Sequence, residues 1–239
     1  MMEHTNKQFD AEMESIRSGV LTMGGLVETQ MSRAIESLGQ DKESTVLDVI
    51  GANEQQINQM QVDMDQLCSQ IIARRQPTAI DLRMILTVTK IVNDLERIGD
   101  ETKKVAYKAS EATGHHRLTR VRYYDIARSA ERAKEMLQLA LDAFARMDVN
   151  AAADVIAIDE EVDAAFLSVM RQLISYMMED PRTITPAIEI VFIAKSVERI
   201  GDHAKNICEY IIYMVHGKDV RHISLERVAE ELKGEAARA

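Results

Sequence analysis

The chain has 239 residues, a formal net charge of -10, no tryptophan, 4% aromatics, two cysteines and three prolines. The acidic balance argues against a nucleic-acid binder, which needs a basic face, and against nonspecific attraction to an anionic membrane. The abundance of Ala, Leu, Ile, Met, Glu, Lys and Arg, with few Gly and Pro, is a helix-rich composition.

Six long helices are predicted in chain order. In the first, Phe9, Met13, Ile16, Val20, Met23, Val27, Ala34 and Leu38 recur every three or four residues, with Gln30 as the polar exception. That is the seam of a helix in a bundle. Gly39-Gln40 ends it, and Asp41 is positioned to cap the second helix, which runs to about Arg74. Gln76-Pro77-Thr78 breaks the chain, because the residue before proline resists the helical region. The third helix runs from about Ile80 to Ala112, and Gly114 opens a linker containing His115 and His116. Ile126, Ala130, Ala133, Leu137, Ala140 and Phe144 form the seam of the fourth helix. Asp148 caps a fifth that reaches about Met178, Asp180-Pro181 breaks it, and a sixth runs from about Thr183 to Val215. No stretch alternates with period two long enough to be a strand. After Ser224, a tail carries only a weak amphipathic pattern, Leu225, Val228 and Leu232.

Glu-Arg-Ile-Gly-Asp occurs twice, as Glu96–Asp100 and Glu198–Asp202, 102 residues apart. With short loops forcing antiparallel neighbours, the repeat points to an all-α fold of two tandem three-helix bundles related by internal duplication. The expected units are residues 1–114 and 115–223, followed by the tail 224–239. Six helices in one merged bundle is the alternative. The longest apolar run, Ala187–Ala194, is too short to span a bilayer, and Met1–Glu14 lacks an apolar signal-peptide core. Cys68 and Cys208 lie in apolar helical patterns without metal spacing, so the expectation is a reduced, cytoplasmic protein.

Each pentapeptide carries two carboxylates at i and i+4, one turn apart on one helix face. Mirroring the chain about Pro77 places Glu96–Asp100 opposite Glu54–Asn58. Mirroring about Pro181 places Glu198–Asp202 opposite Asp159–Asp163. Each motif then lies roughly 30 Å from its turn, at about 1.5 Å per residue. Half one therefore offers Glu54, Asn58, Glu96 and Asp100, and half two offers Asp159, Asp163, Glu198 and Asp202, with Glu160 and Glu161 nearby. Converging carboxylates repel, and a divalent or transition metal ion, of unspecified identity, would offset that cost. The competing reading is a solvated face on which Arg97 and Arg199 form surface ion pairs. Gly24-Gly25, mirrored about Gln40, is expected to let the first helix approach the first acidic site. His203 has Glu101 as its counterpart, which weakens it as a ligand. Arg74, Arg75, Arg83 and Arg182 gather near the two hairpin turns as a docking surface or a solvated rim.

Along the chain the pattern resembles the PhoU phosphate-transport regulators. The residues that carry the resemblance are the repeated Glu-Arg-Ile-Gly-Asp in each third helix, Met23-Gly24-Gly25, Arg74-Arg75-Gln76-Pro77-Thr78, Asp142–Asp148 and Tyr176–Asp180. The resemblance runs from about Phe9 to Ile223. It implies a non-enzymatic cytoplasmic regulator that holds the phosphate-starvation response off. Its implied partners are the ATPase subunit of a phosphate ABC transporter and a phosphate-sensing membrane histidine kinase. It also implies metal binding through Glu/Asp-x-x-x-Asp motifs and a homodimer peripheral to a membrane complex. Asn58 departs from that motif, so the second site is expected to be the better metal binder. The alternative function is a carboxylate-bridged metalloenzyme, an oxidase or hydrolase.

Overall fold

The computed structural model describes residues 7–38, 44–111 and 119–221. These form α1 (Lys7–Ser37), α2 (Ser44–Arg75), α3 (Ala79–Glu111), α4 (Thr119–Arg146), α5 (Val149–Glu179) and α6 (Ile184–His216). A 3-10 turn, Pro181–Thr183, precedes α6. Among the described residues there is no strand, and no helix is long and apolar enough to cross a membrane. The predicted helices all appear. Asp41, the His115-His116 linker, the expected boundary at 114–115 and the tail after Ser224 lie outside the described residues.

Local chemistry sets the helix ends. The Asp148 side chain accepts the Ala151 N–H at 3.0 Å, satisfying one of the free donors that open α5. Gln76, barred by Pro77 from the right-handed helical region, takes a positive φ of 49°. Gly217, at φ 73°, ends α6 in the left-handed conformation that glycine adopts without strain, and its N–H reaches Tyr213 O at 2.8 Å.

Each half is a three-helix bundle, and the halves share one core. Buried residues of all six helices form a continuous apolar cluster, including Ile16, Ile57, Leu95, Phe144, Leu173 and Ile207. Two antiparallel seams join the halves. Along α3–α6, Arg83 Nε donates to Met214 O at 2.9 Å, Asp94 meets His203, and Lys108 lies over the Phe192 ring. Along α1–α4, Arg17 donates to Ala145 O, and Gln138 Nε2 donates to Glu28 Oε2 at 3.1 Å.

Three details of the sequence reading resolve here. Gln30, the polar exception in the α1 seam, is fully buried, and its Nε2 donates to Gly99 O at 2.9 Å. It therefore ties α1 to the first pentapeptide. Gly24 does not open α1 toward the acidic site: a Cβ there would sit 2.5 Å from Leu141 Cδ1, so this glycine lets α1 approach α4. The mirror about Gln40 gives only the level along the helix and not the direction faced, and Gly25 faces open space. The arginines at the hairpin turns do not form one patch. Because α3 and α6 are antiparallel, their turns lie at opposite ends: Arg75 makes a bidentate pair with Glu12, and Arg182 pairs with its neighbour Asp180.

Candidate metal centre

The hairpin registers fall within three residues of the mirrored ones. In the first half Lys103 meets Glu54, and Gly99 packs on Ile57. In the second, Lys205 meets Asp159, and Gly201 packs on Val162. The two sites are thus equivalent, position by position, in the two repeats.

In the second half, carboxylate oxygens of Asp159 and Asp163 on α5 and Asp202 on α6 all lie within 4.8 Å of one another. Asp159 is 2% exposed. One of its oxygens accepts from Lys205 Nζ at 2.9 Å, while the other, Oδ1, is buried without a hydrogen bond. Gly201 makes the room: a Cβ there would lie 3.3 Å from that same Oδ1. Burial, then the charges of Glu198, Asp159 and Asp163, push Asp202 up to about 6. Burial, then Asp159 and Glu198, raise Asp163. Two carboxylates at such separation repel by about 3 kcal/mol at an effective dielectric of about 20. Glu198 is close enough to add to this field, but its carboxylate is held by Lys195. Three converging carboxylates, one of them with an orphaned buried oxygen, are the donor set a hard divalent cation takes, through oxygen ligands alone.

The first half is less convergent. Glu96 Oε2 is buried without a hydrogen bond, with Arg97 Nε 3.5 Å away. Burial, then Asp100, with Glu54 adding, raise the Glu96 carboxyl against the opposing Arg97. Asp100 has Arg97 Nη1 at 3.9 Å, Glu54 is engaged by Lys103, and Asn58 is exposed. Of the eight expected residues, the structure brings Asp159, Asp163 and Asp202 together most closely, with Glu198 beside them. Glu54, Glu96 and Asp100 share one electrostatic neighbourhood.

Sequence reasoning missed the lysines. Lys103 and Lys205 are 102 residues apart, the offset of the pentapeptide, and each holds the α2 or α5 acid of its site. Extending the repeat beyond Asp100 and Asp202 would have found them. Burial works to lower the Lys205 ammonium, yet its hydrogen bond to Asp159 and the surrounding acids raise it. Lys205 therefore stays charged and acts as an internal counter-cation. Replacing it with methionine is expected to leave Asp159 without a neutralising partner. Divalent-cation affinity at this site should then rise about fivefold, read by calorimetry, for a competing contact worth about 1 kcal/mol. An unchanged or weaker affinity would show that the lysine does not compete with the cation. His203 turns from the acidic site: its Nδ1 lies 2.6 Å from Asp94 Oδ1 on α3.

A family model described as the PhoU domain matches residues 20–109 and again residues 126–211, one stretch in each half. The chain is 45% identical over 233 residues to the phosphate-specific transport system accessory protein PhoU homolog of Pseudomonas aeruginosa, covering 98% of this chain and 96% of that one. It is 41% identical over 233 residues to the phosphate-specific transport system accessory protein PhoU of Escherichia coli K12, covering 97% and 95%. Among solved structures, PhoU from Pseudomonas aeruginosa superposes with a TM-score of 0.81 at 44% identity, over 88% of this chain and all of that one. The phosphate transport system regulatory protein PhoU from Streptococcus pneumoniae superposes with a TM-score of 0.80 at 25% identity, over 89% and 99%. With two matched stretches and similarity along nearly the whole chain, this protein belongs to the PhoU family.

Proposed function

We propose that the protein is a cytoplasmic accessory regulator of phosphate-specific transport that keeps the phosphate-starvation response off when phosphate is ample. In this reading it is an adaptor, not an enzyme, between the ATPase subunit of a phosphate ABC transporter and a sensor histidine kinase. It acts as a homodimer peripheral to the membrane complex. The observation that carries the reading is similarity, over at least nine-tenths of the chain, to proteins named as accessory proteins of phosphate-specific transport. Deleting the gene is expected to derepress a phosphate-responsive reporter in high phosphate. A reporter that stays repressed would sink the reading.

The acidic sites serve as divalent-metal sites that fasten α2 to α3 and α5 to α6. Support comes from the buried unpaired oxygens of Glu96 and Asp159 and from the Asp159–Asp163–Asp202 cluster. Calorimetric titration with Mn2+ should give heat that is lost from the second site in a Glu198→Gln/Asp202→Asn double variant. No heat in the parent protein would defeat the metal assignment and leave surface ion pairs as the account. A carboxylate-bridged metalloenzyme has no observation in its favour. The histidine nearest the second site is engaged with Asp94, and the relatives carry accessory names.

A further inference from the structure

The repeated pentapeptide contains an arginine in each copy, Arg97 and Arg199, that the acidic sites do not require. Their carboxylates come from the first and fifth positions of the motif and from the neighbouring helix. The antiparallel packing of α3 on α6 gives the arginines a common place. Asp94 pairs with His203 and Glu101 with Arg199, so the helices cross where the two pentapeptides meet. Both guanidinium groups then line a single cleft of about 670 Å3 on the α3–α6 seam, together with Lys104, Lys205 and Arg221.

We infer that this cleft is a binding site for a tetrahedral oxyanion of the phosphate type, gripped by Arg97, Arg199 and Lys104. Such an anion needs several charge-assisted donors held in fixed positions, and arginine forks supply them in bidentate geometry. The cleft has the required support. Glu101, 5% exposed, accepts from Lys104 Nζ at 2.8 Å and from Arg199 Nη1 at 3.2 Å. It is therefore a fixed anion that orients two cations from two helices. The contact with Arg199 uses Nη1 alone, and the side chain is 53% exposed, which leaves the rest of the fork facing the cleft. Arg97 is 55% exposed and makes only long contacts, 3.5 Å to Glu96 and 3.9 Å to Asp100.

The opposing charges in the cleft are Glu101, Asp202 and Glu209. Glu101 is engaged as described, and Asp202 belongs to the acidic cluster of the second half. Glu209 is raised by burial, with Lys205 and Arg221 pulling the other way. His203, which also lines the cleft, is turned onto Asp94, a carboxylate that gathers Asn206 as well. The α3 carboxylates Asp94 and Glu101 thus fix the seam and leave the arginines for a ligand. Of the five Lys and Arg side chains that line the cleft, Lys205 is committed to Asp159 and Arg221 to Asp219, so Arg97, Arg199 and Lys104 are the cations a ligand can reach.

The test uses the full chain freed of metal with chelator, so that it does not depend on the acidic sites. Inorganic phosphate and phenyl phosphate are titrated separately, followed by amide chemical shifts and calorimetry. Saturable shifts are expected around residues 97–104 and 199–206. The preferred probe tells a free anion from a phosphoryl group carried on a larger partner. In Arg97→Gln/Arg199→Gln the dissociation constant should rise about tenfold or more. Arg182→Gln, at the α5–α6 turn and 91% exposed, should bind as the parent does. Arg97→Lys/Arg199→Lys keeps the charge and loses the fork, and should weaken binding to an intermediate degree. That pair, and the shift map of the parent, keep the test decisive if the glutamine pair folds poorly. No saturable shift with either anion up to about 10 mM, or glutamine and lysine variants that bind like the parent, would overturn the inference.

Discussion

Asp202→Asn is expected to raise the melting temperature of the metal-free protein near neutral pH while removing divalent-cation binding from the second site. The carboxyl is raised to about 6 in the folded chain from an ordinary 3.8. It therefore holds its proton more tightly folded than unfolded. Ionising it costs stability: the penalty is complete above about pH 6 and is relieved as pH falls through 6 toward 4. Half-burial and solvent screening leave a cost of about 1–2 kcal/mol. Removing the charge should raise the melting point by about 2–8 °C in a chain of this size. The parent should also gain stability on acidification through about pH 6 as Asp202 takes up its proton, and Asp163 and Glu96, both raised, act with the same sign. The variant should lose part of that slope, and a saturating divalent cation should remove it from the parent by satisfying the same carboxylates. Melting curves at several pH values, with and without Mn2+, check this. A variant less stable than the parent at all pH values would mean that the Asp202 carboxylate makes net favourable contacts, contrary to the strain argued here.

Phe144→Ala is expected to lower the stability of both halves together. Phe144 is fully buried on α4, in the core that spans all six helices. Its truncation removes a large apolar side chain and leaves a cavity, at a cost of about 3–5 kcal/mol. That corresponds to a drop of about 6–20 °C in melting temperature. The seam where α4 meets α1 is the reason to expect one transition. Leu141, one turn earlier on α4, packs onto Gly24, and Arg17 reaches Ala145 O. Loosening α4 therefore loosens α1. Calorimetry should show one unfolding peak in parent and variant. Two peaks, only one of them shifted, would mean that the halves unfold independently.

The elements of the fold were legible because local rules specify them. Apolar spacing of three and four, Pro77 and Pro181, and Asp148 as a cap each act within a turn or two of the residue concerned. The second acidic site was legible for a related reason. A short turn fixes hairpin register, so distance along the chain on one side predicts distance on the other. The same logic misplaced Gly24, because register gives the level along a helix and leaves the direction faced to packing. Gly24 faces Leu141 of the other half, a contact 117 residues away in sequence. Lys103 and Lys205 were also in reach, since they extend the repeat, but a lysine three residues past an aspartate reads as an ordinary surface residue until its partner helix is in place.

By itself the sequence determined six helices, the duplication, the hairpin pairing within each half and, in the second half, the acid pairs that face each other. Tertiary structure alone decided how the halves meet. Nothing local records that α3 lies antiparallel to α6. That arrangement follows from burying the remaining apolar faces of both halves in one core, a sum over many long-range contacts. It brings Arg97 and Arg199 into one cleft and turns His203 onto Asp94.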